Sequence, residues 1–230
     1  MSTAARSAFL LLSPALLQAQ DGSALLAQVD RLRHPWPAYA VDVTLADGRA
    51  TQRWRVQVRE NGDARVEGLS KREQGRSVLV LGDRMWLLLP GSRRPVPVTP
   101  QQRLLGPASG GDLARTRFAE DYAVEAATPD AWEGQAATRL ELRARRPALS
   151  WRTAHLWVAQ DGRPLAGAFF LPSGKQARTV RFEAPVIVNG ARLVPGLTLR
   201  DSSGQETRLA FDRWAPGPQE PARFALPEAL

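Results

Sequence analysis

Two histidines, a loose group of carboxylates and no cysteine are nearly all that this 230-residue chain offers for chemistry. His34 stands between a helical pattern and Pro35, and His155 sits inside a period-two apolar run. The two are far apart, with no acidic or cysteine partner at metal-ligand spacing, which points to structural roles and to no metal site. Gly106-Pro107-Ala108-Ser109-Gly110 is not a nucleophile elbow, because its serine has the wrong offset and lies in a loop. No phosphate-cradling glycine loop followed by Lys is present, nor Ser-x-x-Lys. Asp112, Glu120 and Asp121 cluster, but fit helix capping and a solvated loop better than acid-base work. The absence of cysteine removes disulfides, thiolate zinc sites and cysteine nucleophiles. The expectation is a protein without catalytic residues, metal or cofactor, whose stability rests on an apolar core.

The elements that would position any site are read from periodicity. After Asp21 or Ser23 as cap, Leu25, Leu26, Val29 and Leu32 recur at helical spacing, and the pattern stops at His34-Pro35-Trp36-Pro37. From there period two takes over. Tyr39 to Leu45 and Gln52 to Val58 read as two strands joined by a two-residue turn at Asp47-Gly48, and Asn61-Gly62 ends the second. The same punctuation at Gly82-Asp83, Asp161-Gly162, Ser173-Gly174, Asn189-Gly190 and Ser203-Gly204 separates further strands. These are Ser77 to Leu81, Met85 to Leu89, Pro95 to Thr99, Ala123 to Ala127, Thr138 to Ala144, Thr153 to Val158, Leu165 to Leu171, Thr179 to Glu183, Arg192 to Arg200 and Glu206 to Trp214. Consecutive hairpins imply an antiparallel meander, and about eleven to thirteen strands must curl toward a barrel. Only Pro100 to Glu120 breaks the rhythm, with one or two short helices around a Gly-rich turn at Gly106 to Gly111.

Arg6 followed by the apolar run Ala8 to Leu17, with Ala19 before Gln20, reads as a secretory signal peptide over residues 1–19. Residues 20–230 then form a single domain, expected to be periplasmic, soluble and without a lipid anchor, since no cysteine is available to carry one. The net charge of +8 is almost all arginine, with Lys71 and Lys175 the only lysines. The arginines are scattered rather than run together, so nucleic acid is not an expected partner.

The stretch Gly82 to Leu105 carries the strongest functional hint: an apolar strand with Trp86, a Pro90-Gly91 break, two arginines, a short strand and a helix start. Strands such as Val78 to Leu81 and Met85 to Leu89 are apolar on both faces. The large aromatics Trp36, Trp54, Trp86, Trp157 and Phe169 are hard to pack around without leaving a gap, and a dry apolar gap is a lipid site.

Met85-Trp86-Leu87-Leu88-Leu89-Pro90, Ser92-Arg93-Arg94-Pro95, Gln102-Arg103-Leu104-Leu105-Gly106, Ala108-Ser109-Gly110-Gly111-Asp112-Leu113-Ala114-Arg115-Thr116 and Asp121-Tyr122 closely resemble the LolA-like outer-membrane lipoprotein-sorting proteins. The likeness is nearly collinear from Leu25 to Leu230. It implies a mainly β fold, an unclosed and strongly curved antiparallel β-barrel of about 11 strands with helices covering the concave face. It also implies a monomeric carrier that takes acyl chains of lipoproteins or other lipids in an apolar cavity. Such a carrier receives them from an inner-membrane transporter and passes them to an outer-membrane acceptor. Lacking the cysteine on which the acceptor is anchored, this chain resembles the soluble carrier. Expected cavity residues are Trp36, Val43, Trp54, Val56, Leu79, Trp86, Leu88, Leu104, Leu105, Phe118, Trp157 and Phe169, with Arg93 and Arg94 at the rim. Pro100 to Tyr122 and the first helix are the expected lid, hinged at Gly106, Gly110 and Gly111. The alternatives are a lipid- or lipoprotein-sensing module on the same fold and, more distantly, a lipid hydrolase.

Overall fold

The computed structural model describes residues 14–92, 94–99, 116–147 and 149–226. In chain order the elements are α1 (Pro14–Arg33), β1 (Tyr39–Ala46), β2 (Thr51–Val58), β3 (Ala64–Gly68), β4 (Ser77–Leu81), β5 (Arg84–Leu88), β6 (Val96–Pro97), α2 (Phe118–Asp121), β7 (Tyr122–Trp132), β8 (Gln135–Ala144), β9 (Thr153–Val158), β10 (Pro164–Phe170), β11 (Gln176–Phe182), β12 (Val186–Val188), β13 (Ala191–Leu193), β14 (Gly196–Asp201) and β15 (Glu206–Pro216), followed by a 3-10 turn at Pro221–Phe224. Thirteen strands form one antiparallel sheet in the order β6-β5-β4-β3-β2-β1-β15-β14-β11-β10-β9-β8-β7, while β12 and β13 form a separate hairpin between β11 and β14. β6 and β7 are the two edges and do not pair, so the barrel is unclosed, as the sequence led us to expect.

The hairpin turns lie at the expected Gly-containing pairs. At Asn189-Gly190 both residues have positive φ, 48° and 77°, which is the backbone that lets a two-residue turn follow the twist of β12 and β13. The β1–β2 turn differs from expectation: Ala46 pairs with Thr51, so four residues form the loop. There Asp47 accepts from the Arg49 and Ala50 amides at 3.0 and 2.8 Å. β3 was not expected, because Ala64-Arg65-Val66-Glu67-Gly68 offers little apolar content and is held by register to its neighbours. The expected strand Arg192 to Arg200 is broken into β13 and β14 at Val194-Pro195, where proline has no amide to donate. β12 was also unforeseen. The first helix begins at Pro14 rather than at a cap on Asp21 or Ser23.

α1 lies on the concave face. Leu26 and Val29 are almost fully buried and, with Leu32, join a single core with Tyr39, Val41, Val43, Val58, Val80, Leu140, Leu156, Phe169, Leu197 and Leu209. The helix comes so close to the sheet that a Cβ on Gly22 would stand 2.9 Å from Val124 Cγ1 and 3.2 Å from Ala127 Cβ. Its C-terminal end is pinned by the Val194 amide, which donates to the Leu32 carbonyl at 2.8 Å. Across the open side of the barrel, Arg146 after β8 forms ion pairs with both Asp83, in the β4–β5 turn, and Asp121, the last residue of α2 just before β7. One side chain thus links the two margins of the sheet. No helix among the described residues is long and apolar enough to cross a membrane.

Candidate functional site

Asp30 and Arg33 at the end of α1, and His34 just past it, lie one turn apart on one face, directed at the segment that leads into α2. Asp30 accepts from the backbone amides of Phe118 at 2.9 Å and Ala119 at 2.7 Å, capping α2 from outside its own segment. Arg33 donates from Nη1 to the Thr116 carbonyl at 2.7 Å, lies 3.6 Å from Asp30, and stacks over Phe118 with its Cζ 4.5 Å from the ring centre. His34 reaches the same Thr116 carbonyl with Nε2 at 3.0 Å and the Tyr39 hydroxyl with Nδ1 at 2.7 Å. A carbonyl only accepts, so Nε2 bears the proton and, in the neutral ring, Nδ1 accepts from Tyr39. Arg33, His34, Tyr39, Thr116 and Phe118 are buried, and Asp30 is partly so. Burial raises Asp30 above the usual carboxylate range against the pull of Arg33 and the two amides, and lowers Arg33. It also pushes the Tyr39 phenol up to about 12.

Beside this polar group is an apolar pocket of about 30 Å³, lined by Arg33, Tyr39, Val41, Val43, Val56, Val58, Phe182, Val194, Leu197, Phe211 and Trp214. It lies between α1 and the β2-β1-β15-β14 part of the sheet. Phe211 and Trp214 both enter it although they are three residues apart, which period two forbids. The reason is a bulge: β15 spends three steps from Asp212 to Ala215 while β1 spends two from Asp42 to Ala40, and Arg213 takes φ 51° to absorb the extra residue. Trp214 is thereby brought against Trp36 and Tyr39, with ring centres at 5.8 and 5.3 Å. Its indole Nε1 is buried without a hydrogen-bond partner. Small-molecule sites usually enclose about 300–1,000 Å³, so this concave face is nearly filled by α1 and the core.

The structure sorts the expected cavity residues by face. Val43 pairs with Trp54, and Val41 with Val56, placing Val43, Trp54 and Val56 on the concave side with the pocket. Phe118 and Phe169 are fully buried there, 6.3 Å apart between ring centres, and Trp36 packs half-buried against the same core. Four assignments are reversed. Leu79 pairs with Arg65 and Trp86, and Leu88 with Ser77, so Leu79, Trp86 and Leu88 face the outer side. Arg65 on that face donates to the Arg223 carbonyl of the C-terminal turn at 2.6 Å, and Arg84 lies 5.4 Å from the Trp86 ring. Trp157 also points outward, 4.9 Å from Trp132 and donating to Asp130 at 2.9 Å. An apolar strand buried on both sides gives no parity signal, so a one-residue slip in reading it turns every side chain over. Arg94 is an exposed turn residue whose amide is 3.2 Å from Ser92 Oγ. Arg93, Leu104 and Leu105, the proposed hinge glycines and residues 1–13 lie outside the described residues.

Tyr39, Val41, Val58, Phe211, Trp214 and Arg33 were not anticipated at the site. Val41 and Val58 share the parity of Val43 and Val56 and were accessible to the same reasoning. Trp214 was not, because its direction depends on the bulge.

An unclosed antiparallel half-barrel with a helix across its concave face is the fold of the LolA superfamily. A LolA superfamily protein from Nitrosomonas europaea superposes with a TM-score of 0.79 at 24% identity, over 90% of this chain and 97% of that one. A Vibrio parahaemolyticus domain described as outer-membrane lipoprotein-sorting gives 0.69 at 18% identity, over 90% and 97%. A DUF1329 family protein from Desulfovibrio piger gives 0.73 at 13%, also over 90% and 97%. The chain belongs to a family described only as uncharacterized protein-like, whose model matches residues 68–225. A comparison with curated protein sequences finds no match.

Proposed function

We propose that this protein is a periplasmic carrier that shelters acyl chains of lipoproteins or other lipids on the concave face of its half-barrel and moves them toward the outer membrane, without catalysing a reaction. The observation that carries this reading is the polar tie that holds the plug. α1 fills an apolar concave surface, and beside the apolar core it shares with Phe118 its far end is tied to the α2 entry through polar groups, Asp30, Arg33 and His34. Apolar contacts exchange for an acyl chain at little net cost, while the polar tie sets the threshold for opening.

The energetics require such a threshold. Burying a chain of ~16 carbons yields about 13 kcal/mol at ~0.8 kcal/mol per CH₂. Three chains would exceed the ceiling of roughly 18–21 kcal/mol on non-covalent affinity. A carrier must spend part of that gain on displacing its own plug if it is to release cargo. The small closed pocket fits the unloaded end of that cycle. Export through the 1–19 signal, followed by exchange with an inner-membrane donor and an outer-membrane acceptor, completes the proposal. Organic-solvent extraction of the purified protein followed by mass spectrometry should recover acyl lipids in stoichiometric amount. An empty extract, together with no uptake of acyl probes by the purified protein, would remove this reading.

A further inference from the structure

We infer that the pocket around Trp214 seats the carbonyl end of an acyl group, so that the ligand enters with its polar end at the β1–β15 bulge and its chain along the valine face toward Trp54. The inference rests on the carrier reading and specifies how cargo is oriented within it. Three observations converge. Trp214 is 8% exposed, and its Nε1 is a buried donor for which no acceptor is present among the described residues. Buried donors are nearly always paired, and leaving one unmade is costly. The pocket that Trp214 lines is of about 30 Å³, room for a carbonyl group and its first carbons rather than for a chain. Its remaining walls are chiefly Val41, Val43, Val56 and Leu197, which offer an alkyl segment no competing polar atom. The rest of the polar inventory nearby is committed elsewhere: Tyr39 to His34, and Arg33 to Thr116 and Asp30. A neutral carbonyl oxygen therefore suits Trp214.

The position of Trp214 is also a built feature. Arg213 holds a left-handed backbone that residues with a Cβ rarely adopt, and the result is to turn this indole inward. The Asn189 side-chain amide fixes the strand behind it by donating to the Trp214 carbonyl at 3.2 Å.

The test uses the intact protein with three probes of equal chain length: n-decane, methyl decanoate and decanoate. Affinities are measured by competition with a fluorescent fatty acid, and ¹⁵N spectra follow the indole N–H of Trp214, assigned through Trp214→Phe. Methyl decanoate should bind roughly five- to tenfold more tightly than decane, the range of one hydrogen bond, and should move the Trp214 N–H resonance downfield while decane does not. Trp214→Phe should erase that preference, so that methyl decanoate and decane bind alike in the variant. A stronger effect of decanoate than of the ester would identify free fatty acid as the source of the carbonyl; the reverse would identify an ester-linked chain. Equal affinity for decane and ester, or equal loss of both in Trp214→Phe, would overturn the inference while sparing the carrier reading. No binding of any probe would overturn both. The resonance shift is read in the wild-type protein, so it stands even if the variant folds poorly.

Discussion

Tyr39 shows how burial turns an ordinary side chain into a reporter. Its hydroxyl is held by His34 inside the core, and burial pushes its pKa from 10.0 to about 12. Between those two values the folded chain keeps a proton that the unfolded chain releases, so stability falls as pH rises through the window, by roughly 2–3 kcal/mol in total. Denaturant midpoints measured from pH 9 to 12 should show this decline, and Tyr39→Phe should flatten it. An equal slope in the variant would place the titration elsewhere. At the same scale His34 is engaged at both ring nitrogens, and His155 packs 4.8 Å from Phe170 and 6.2 Å from Trp157 on the outer face.

At the scale of elements, two substitutions separate packing from site. In α1, Gly22 is a contact rather than a flexible joint. Alanine there gains about 1 kcal/mol of helix propensity but forces a methyl against the stiff Val124 at 2.9 Å, and such overpacking costs about 1–3 kcal/mol. Gly22→Ala should therefore lower stability by about 1 kcal/mol and speed hydrogen exchange of the α1 amides, with the β9–β10 amides unchanged. In β4, Leu79 is fully buried but on the outer face. Leu79→Ala should cost about 2–4 kcal/mol without changing acyl-probe affinity, while Val56→Ala on the concave face should weaken binding at smaller cost to stability. A loss of probe affinity in Leu79→Ala would contradict the register. β4 and β5 were legible as strands from their Val, Leu and Trp content. Their facing was not, because both sides are apolar and only pairing with the polar residues Arg65 and Ser77 reveals which is outside.

For the whole molecule, the telling contact is Arg146, which ties Asp83 near one margin of the sheet to Asp121 at the other. The side chains of Arg146 and Asp83 are 43% and 48% exposed, so the pair to Asp83 contributes little to stability. It is nevertheless placed to limit how far the open barrel spreads. Asp83→Asn, which leaves the Arg146 pair to the buried Asp121 intact, should leave the melting temperature nearly unchanged, widen the distance distribution between spin labels placed at positions 96 and 125, and accelerate acyl-probe uptake. High salt should do the same to the wild type. Uptake that is insensitive to both would show that the gap does not admit cargo.

The sequence by itself determined the meander. Gly-containing turns at regular intervals, period-two runs between them and one apolar helix before the first strand can be laid down in few ways other than as a curled antiparallel sheet with that helix against it. It also narrowed the chemistry, since residue types are visible without coordinates. Only the tertiary structure decided which face each strand presents, because register is a property of two strands and not of one. Only it showed that the concave face is already filled by α1, and that Asp30, Arg33, His34 and Thr116, more than eighty residues apart at the extremes, meet in one polar tie. Trp214 marks the limit of reading by pattern: its turn inward is set by a bulge measured against a strand about 170 residues earlier in the chain, and no local periodicity records such a displacement.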